Sequence, residues 1–89
     1  MITRERFIEL LSDDSFGNWK GDNAFQGLQI IAKYISAEEN TLLVGANHDI
    51  IYSVDVDKLI EAGITEDDAT ALRHLNWMVE DDSYLACFV

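Results

Sequence analysis

Few cysteines, few basic residues and no long apolar run distinguish this 89-residue chain. The single cysteine, Cys87, excludes a disulfide within the chain. No apolar run approaches the roughly 20 residues that a membrane-spanning helix needs. The amino terminus also lacks the apolar core and small-residue cleavage site of a signal peptide. These absences predict a cytoplasmic protein.

Recognisable catalytic and ligand-binding patterns are also lacking. No Ser–His–Asp, Cys–His or paired-carboxylate set stands out, and the glycines of residues 16–23 lack the ending of a phosphate-binding loop. His48 is expected in an exposed turn, His74 stands near no other metal ligand, and no acidic cluster has calcium-loop spacing. Cys87 is expected to be a buried small hydrophobe. We therefore expect no catalytic residue, no metal and no cofactor.

Negative charge, by contrast, is abundant: 17 acidic and six basic residues give a net charge of −11. Residues 55–89 hold nine of the acids and two of the bases, so the charge is concentrated towards the carboxyl end. Such a field repels nucleic acid and anionic lipid and attracts basic protein surfaces. We therefore expect no direct nucleic-acid binding and no membrane binding. Solubility alone is the alternative explanation of the same charge.

The last third of the chain predicts a helix followed by a hairpin. Thr65 and Asp68 form a capping-box-like pair that starts a helix over residues 66–75. The alternation that follows favours two strands with a turn at Asp81-Asp82. A two-residue turn there would pair Val79 with Tyr84 and Trp77 with Ala86. The competing interpretation extends the helix to Glu80 and leaves one strand over residues 84–89.

The amino-terminal part of the chain predicts two helices. Thr3 is expected to cap the first. Asp22 or Asn23 caps the second, whose wide apolar face extends to Ile35 and indicates more than one packing neighbour. Gly27 in the middle of this helix costs roughly 1 kcal/mol relative to alanine, so its expected reason is close approach by another element.

Two strands and a short helix are expected next. Residues 41–46 and 50–54 are rich in branched and aromatic side chains, and Asn47-His48 is the predicted turn between them. A short helix over residues 58–62 then ends at Gly63, which suits the left-handed position after a helix.

The elements together predict an α+β fold in a single domain, residues 1–89. The expected sheet is antiparallel and consists of two hairpins, with the helices packed on one face. The final strand is apolar on both sides, so it should be central or covered. At an edge it would become a seam between two copies.

The carboxyl-terminal third also resembles the ending of small acidic phage and prophage proteins, the group that includes anti-CRISPR and anti-restriction proteins. Its elements are a leucine-rich helix, an L-x-W element, an acidic turn and a hydrophobic strand, carried here by Leu72, Leu75, Trp77, Asp81, Asp82, Leu85 and Phe88. The resemblance implies a bacterial or phage-infected cytoplasm. It also implies a protein that occupies a surface of a host nucleic-acid machine.

We therefore expect a non-enzymatic, phage-type inhibitor that docks by its acidic surface on a basic, nucleic-acid-binding host protein. The candidate partner-binding residues are Trp19, Lys20, Glu66, Asp67, Asp68, Glu80, Asp81 and Asp82. Trp19 would either cover the core, as would Phe16, or project outward with Lys20 as an anchor.

Two alternatives remain open at this point. One is a structural or accessory domain that forms a homodimer through its carboxyl-terminal strand. The other is a small-molecule-binding protein or enzyme with a pocket under the Phe16–Asn23 loop, against Tyr34 or Tyr52.

Overall fold

Four helices and a four-stranded antiparallel sheet make up the fold, which a computed structural model describes for residues 1–12, 17 and 19–88. The helices are α1 (Arg4–Leu11), α2 (Asn23–Ala32), α3 (Val56–Glu61) and α4 (Glu66–His74). The strands are β1 (Gly45–Asn47), β2 (Ile50–Asp55), β3 (Trp77–Glu80) and β4 (Tyr84–Phe88). The predicted α+β class is confirmed. None of the helices in the described ranges is both long and apolar enough to cross a membrane.

The strands follow the order β1-β2-β4-β3, so two hairpins are joined through β2 and β4. The last strand is therefore central, as expected, with its backbone paired on both sides. A homodimer cannot form by strand addition at β4, because both edges of β4 are already paired within the chain.

The predicted carboxyl-terminal hairpin is confirmed, and Asn76 explains why the helix does not continue to Glu80. Asn76 follows α4 with a φ of 66°, a left-handed conformation that asparagine tolerates and a continuing helix does not. Its amide donates to the Arg73 carbonyl (3.0 Å), which closes the helix before β3 begins.

The predicted register of this hairpin is wrong by one residue. The loop has three residues, because Asp81 and Asp82 both take positive φ (52° and 54°) and the Ser83 amide donates to the Glu80 carbonyl (3.0 Å). The strand pairs are consequently Trp77–Cys87, Met78–Ala86, Val79–Leu85 and Glu80–Tyr84. Since a one-residue slip moves each side chain to the other face, Trp77 and Val79 share the inner face with Leu85 and Cys87.

Three other boundaries differ from the prediction. The first strand begins only at Gly45, and its turn is His48-Asp49, with His48 at a φ of 52°. The second helix ends at Ala32 rather than Ile35 and continues as turns. The third helix starts at Val56, earlier than expected, because the preceding residue, an aspartate, accepts from the Asp57 amide (2.8 Å) and caps it.

The helix ends that depend on local chemistry are confirmed. Thr3 accepts from the Arg6 amide and Thr65 from the Asp68 amide. At the second helix, Asp22 rather than Asn23 is the cap. After α3, the chain forms a Schellman motif with Gly63 at a φ of 93° and the Ile64 amide bonded to the Leu59 carbonyl (3.1 Å).

All four helices pack on the inner face of the sheet, where Trp77 is the largest fully buried side chain. Gly27 lies directly against it: a Cβ at Gly27 would stand 1.9 Å from Trp77 Nε1. The indole N–H donates to the backbone carbonyl of Asn23 (3.2 Å), and the side-chain Nδ2 of Asn23 donates to the Leu75 carbonyl (2.8 Å). The predicted close approach at Gly27 is thus confirmed.

Candidate partner-binding surface

Five carboxylates from β2, α3, β3 and the β3–β4 loop lie at one end of the sheet, and we call this group the acidic sheet end: Asp55, Asp57, Glu80, Asp81 and Asp82. Strand pairing assembles it, because Tyr84 pairs with Asp55 on one side and with Glu80 on the other. The start of α3 is held to the β3–β4 loop by a hydrogen bond from the Val56 amide to the Ser83 carbonyl (2.8 Å).

Little positive charge balances the acidic sheet end. Arg4 Nε lies 3.2 Å from the Asp57 carboxylate, and the same guanidinium donates to the Asp82 carbonyl. Within the described ranges, no lysine or arginine nitrogen lies within 4 Å of a carboxylate oxygen of Glu80, Asp81 or Asp82. The described residues also contain no group of His, Cys, Asp or Glu side chains placed to hold a metal ion.

The three acids at the start of α4 have a different environment. Glu66 pairs with Arg6 (3.0 Å), and Asp68 pairs with Lys33 (2.9 Å) and accepts from the Tyr34 hydroxyl. The Tyr34 hydrogen bond, followed by the Lys33 contacts, lowers the pKa of the Asp68 carboxyl against the opposing effect of burial. Two of the three predicted contact residues are therefore engaged within the chain, and Asp67 is exposed.

Trp19 and Lys20 lie near the other end of α4. A Cβ at Gly17 would stand 2.7 Å from the His74 Cβ, which places this loop against the last residue of the helix. Nine residues of helix, about 13 Å, separate that end from Glu66. Trp19 is 38% exposed, so it neither fully covers the core nor fully projects. Phe16 lies outside the described residues.

The side of the sheet opposite the helices is largely apolar, and we call it the outer face: Ile50, Tyr52, Met78, Tyr84, Ala86 and Phe88. The strand register puts these side chains together. None of the six belongs to the core cluster of the described residues, whereas their inner-face neighbours Ile51 and Val79 pack against it. Tyr84 and Phe88 are each 45% exposed, so aromatic surface faces solvent here.

A shallow concavity of about 490 Å³ opens on this side, lined by Val44, Gly45, Tyr52 and Tyr84. This concavity includes Tyr52, one of the two residues against which a pocket under the Phe16–Asn23 loop is predicted. No described residue of the 16–23 loop lines it, however, and Phe16 and Asn18 lie outside the described residues.

Sequence reasoning missed the outer face and the contribution of Asp55 and Asp57. A two-residue turn puts Trp77 and Tyr84 on the same face of the hairpin, so the predicted register does not distinguish the outer face from the core. A three-residue loop would have revealed the alternation of Tyr84, Ala86 and Phe88 against Leu85 and Cys87. The proximity of Asp55 to Glu80 depends on β2–β4 pairing, for which the sequence has no local signal.

The Cys87 thiol is unsuited to nucleophilic chemistry. It is fully buried, and burial, followed by the charge of Asp22, raises the pKa of the thiol to about 11, although a hydrogen bond from Asn23 opposes the shift. The thiol therefore stays protonated at neutral pH. This agrees with its expected role as a small buried hydrophobe.

Searches against protein-family models, curated protein sequences and solved structures found no match. The functional argument therefore rests on the residues of this chain.

Proposed function

We propose that the protein is a non-enzymatic binding module that docks its acidic sheet end on a basic surface of another protein. In the form implied by the phage resemblance, the partner is a nucleic-acid-binding host protein and docking inhibits it. The observation that carries the proposal is the assembly of five carboxylates with one arginine beside them.

The distribution of ion pairs supports the sheet end over the start of α4 as the docking surface. Glu66 and Asp68 already have cationic partners, so a second protein would have to compete with Arg6 and Lys33. Glu80, Asp81 and Asp82 have none among the described residues. Unpaired carboxylates of this kind raise association rates with basic surfaces, and salt screens the effect.

A pair of charge-matched variants tests the proposal. The first is Glu80→Gln/Asp81→Asn/Asp82→Asn, and the control is Glu38→Gln/Glu39→Gln/Asp49→Asn, three exposed acids that do not belong to the acidic sheet end. Both change the net charge from −11 to −8. Each tagged protein is used to capture partners from a nuclease-treated bacterial lysate at low and at high salt.

We expect the parent and the control variant to retain the same basic protein at low salt and to release it at high salt. The sheet-end variant should retain at least tenfold less. Equal loss in both variants would mean that net charge alone acts, and capture of no salt-sensitive basic protein would refute the proposal.

A further inference from the structure

The outer face and the acidic sheet end form one continuous surface. The strand register gives three rows across the sheet: Ile50 with Phe88, then Tyr52 with Ala86 and Met78, and finally, after a register shift in β2, Asp55 with Tyr84 and Glu80. The surface therefore changes along the strands from apolar to acidic, and Tyr84 pairs with the acidic residues Asp55 and Glu80 where the two parts meet.

We infer that this surface receives an amphipathic helix of the partner, with an apolar stripe over the outer face and lysines or arginines over the acidic sheet end. The inference rests on the proposed function and adds the chemistry of the partner to it. A partner that covers this surface has to present apolar side chains to the exposed aromatic residues and basic side chains to the unpaired carboxylates beside them.

The dimensions suit a helix better than an added strand. Rows two residues apart on a strand are separated by about 6.7 Å, so three rows extend over about 13 Å. That is the length of about nine helical residues, enough for contacts at the i, i+3, i+4 and i+7 positions. An added strand would have to pair with β1, which has three residues, or with β3, which has four.

A second copy of this chain is a poor occupant. Each copy carries a net charge of −11, so association works against mutual repulsion. Of the six basic residues, Arg4, Arg6 and Lys33 already pair with carboxylates of their own chain and Arg73 is buried. A second copy therefore has few cations to place opposite Glu80, Asp81 and Asp82.

Two labelled synthetic peptides of identical leucine and lysine composition test the inference. One places its leucines at i, i+3, i+4 and i+7, and the other is scrambled so that no stripe forms. Fluorescence anisotropy at physiological salt should show that the protein binds the amphipathic peptide at least tenfold more tightly. The variant Tyr84→Ser/Phe88→Ser should lose this preference, and Phe25→Ser, a 58% exposed aromatic on α2, should keep it.

Amide chemical-shift mapping on the unaltered protein makes the test independent of the stability of the variants. Perturbations should centre on Tyr52, Tyr84 and Phe88. Perturbations confined to residues 66–68, or no peptide binding, would overturn the inference. So would a dimer at working concentration that the Tyr84→Ser/Phe88→Ser variant dissociates, since the occupant would then be a second copy.

The result also separates this inference from the proposed function. If both peptides bind equally well and the Glu80→Gln/Asp81→Asn/Asp82→Asn variant binds neither, electrostatic docking stands and the inference of an amphipathic helix is refuted. If the variant binds the amphipathic peptide as tightly as the parent does, the helix does not need the basic side chains that we assign to it. Failure of the proposed function itself is read from lysate capture, where no basic protein would be retained.

Discussion

Trp77 is held in place by contacts that leave no room for change at Gly27. The indole occupies the position of the missing Cβ, and its N–H donates to the Asn23 carbonyl at the start of the same helix. One side chain thus links α2 to β3, and it does so through the backbone of α2. A residue with a Cβ at position 27 would have to push the helix away from the sheet.

The variant Gly27→Ala should therefore lower the free energy of unfolding by about 1–2 kcal/mol, because an overpacking cost at the upper end of about 1–3 kcal/mol outweighs the roughly 1 kcal/mol that alanine gains in a helix. Urea unfolding followed by tryptophan fluorescence would measure it. The control is Gly45→Ala, where the nearest atom to the new Cβ, Tyr52 Cδ2, is 3.8 Å away. A neutral or stabilising effect at Gly27 would contradict the packing described for Trp77.

Asp68 should make stability depend on pH. Its pKa is lowered in the folded protein, chiefly by the Tyr34 hydroxyl and then by Lys33, so the folded state binds fewer protons than the unfolded state. The resulting stability is present above the ordinary carboxyl pKa of about 4 and is lost as the pH falls through the lowered folded-state pKa.

The free energy of unfolding lost in Asp68→Asn should accordingly be on the order of 1 kcal/mol at neutral pH and should shrink in the acid range below about pH 4. Urea unfolding of parent and variant at a series of pH values would test this. Asp67→Asn, which removes an exposed carboxylate from the same turn, controls for loss of charge near the helix end. A difference that grows on acidification would have the wrong sign.

At the scale of elements, the β3–β4 hairpin decides which side chains reach the core. Its loop has three residues because two consecutive aspartates take left-handed backbone angles. Aspartate adopts this conformation more readily than branched residues do, so the register follows from the loop. The loop thereby also fixes the inward position of Trp77 and the outward position of Tyr84.

The variants Asp82→Gly and Asp82→Val should therefore differ in their free energy of unfolding. Both remove the same charge, but only glycine accepts a φ of 54° without strain, so Asp82→Val should be less stable than Asp82→Gly by about 1–2 kcal/mol. The same pair at Asp67, inside α4, should show the reverse order, since glycine is the poorer helix former. Chemical unfolding of the four variants measures both differences, and equal stability at residue 82 would argue against the loop geometry.

The elements also show what the sequence can predict. Thr3, Thr65 and Gly63 act on backbone groups within a few residues, so their roles follow from local patterns. The sign of φ at Asp81 and Asp82 has no such pattern, because aspartate occurs on both sides of zero. The predicted register is therefore wrong by one residue. It groups Trp77 with Tyr84 and Ala86, whereas in the structure Trp77 shares a face with Leu85 and Cys87.

At the scale of the whole molecule, the strand order and the acidic sheet end depend on contacts between residues that are far apart in the sequence. The α+β class follows from the sequence of elements, and the central position of β4 follows from its apolarity on both sides. The pairing of β2 with β4, which brings Asp55 towards Glu80, joins residues 29 to 38 positions apart and depends on the complete sheet. The partner-binding residues themselves remain predictions.

Salt should stabilise the whole molecule. The ion pairs at Arg4 and Arg6 involve largely exposed side chains and contribute little, whereas a net charge of −11 repels itself throughout the fold. Raising the NaCl concentration from about 10 to about 500 mM shortens the Debye length from about 30 Å to about 4 Å. We expect Tm to rise by about 4–8 °C, which corresponds to about 1 kcal/mol for a domain of this size.

Circular dichroism during heating would measure the change. The Glu80→Gln/Asp81→Asn/Asp82→Asn variant should start from a higher Tm at low salt and gain less from added salt. A fall in Tm of the parent with salt would mean that its ion pairs outweigh its self-repulsion.

The central position of β4 has a consequence for synthesis on the ribosome. Chains grow from the amino end, so β2 emerges complete at Asp55 while the strand that covers its free edge is finished only at Phe88. At typical elongation rates of about 5–20 residues per second, that edge waits roughly 2–7 seconds for its neighbour. During this interval the nascent chain exposes a template for aggregation, and its many carboxylates then keep neighbouring nascent chains apart.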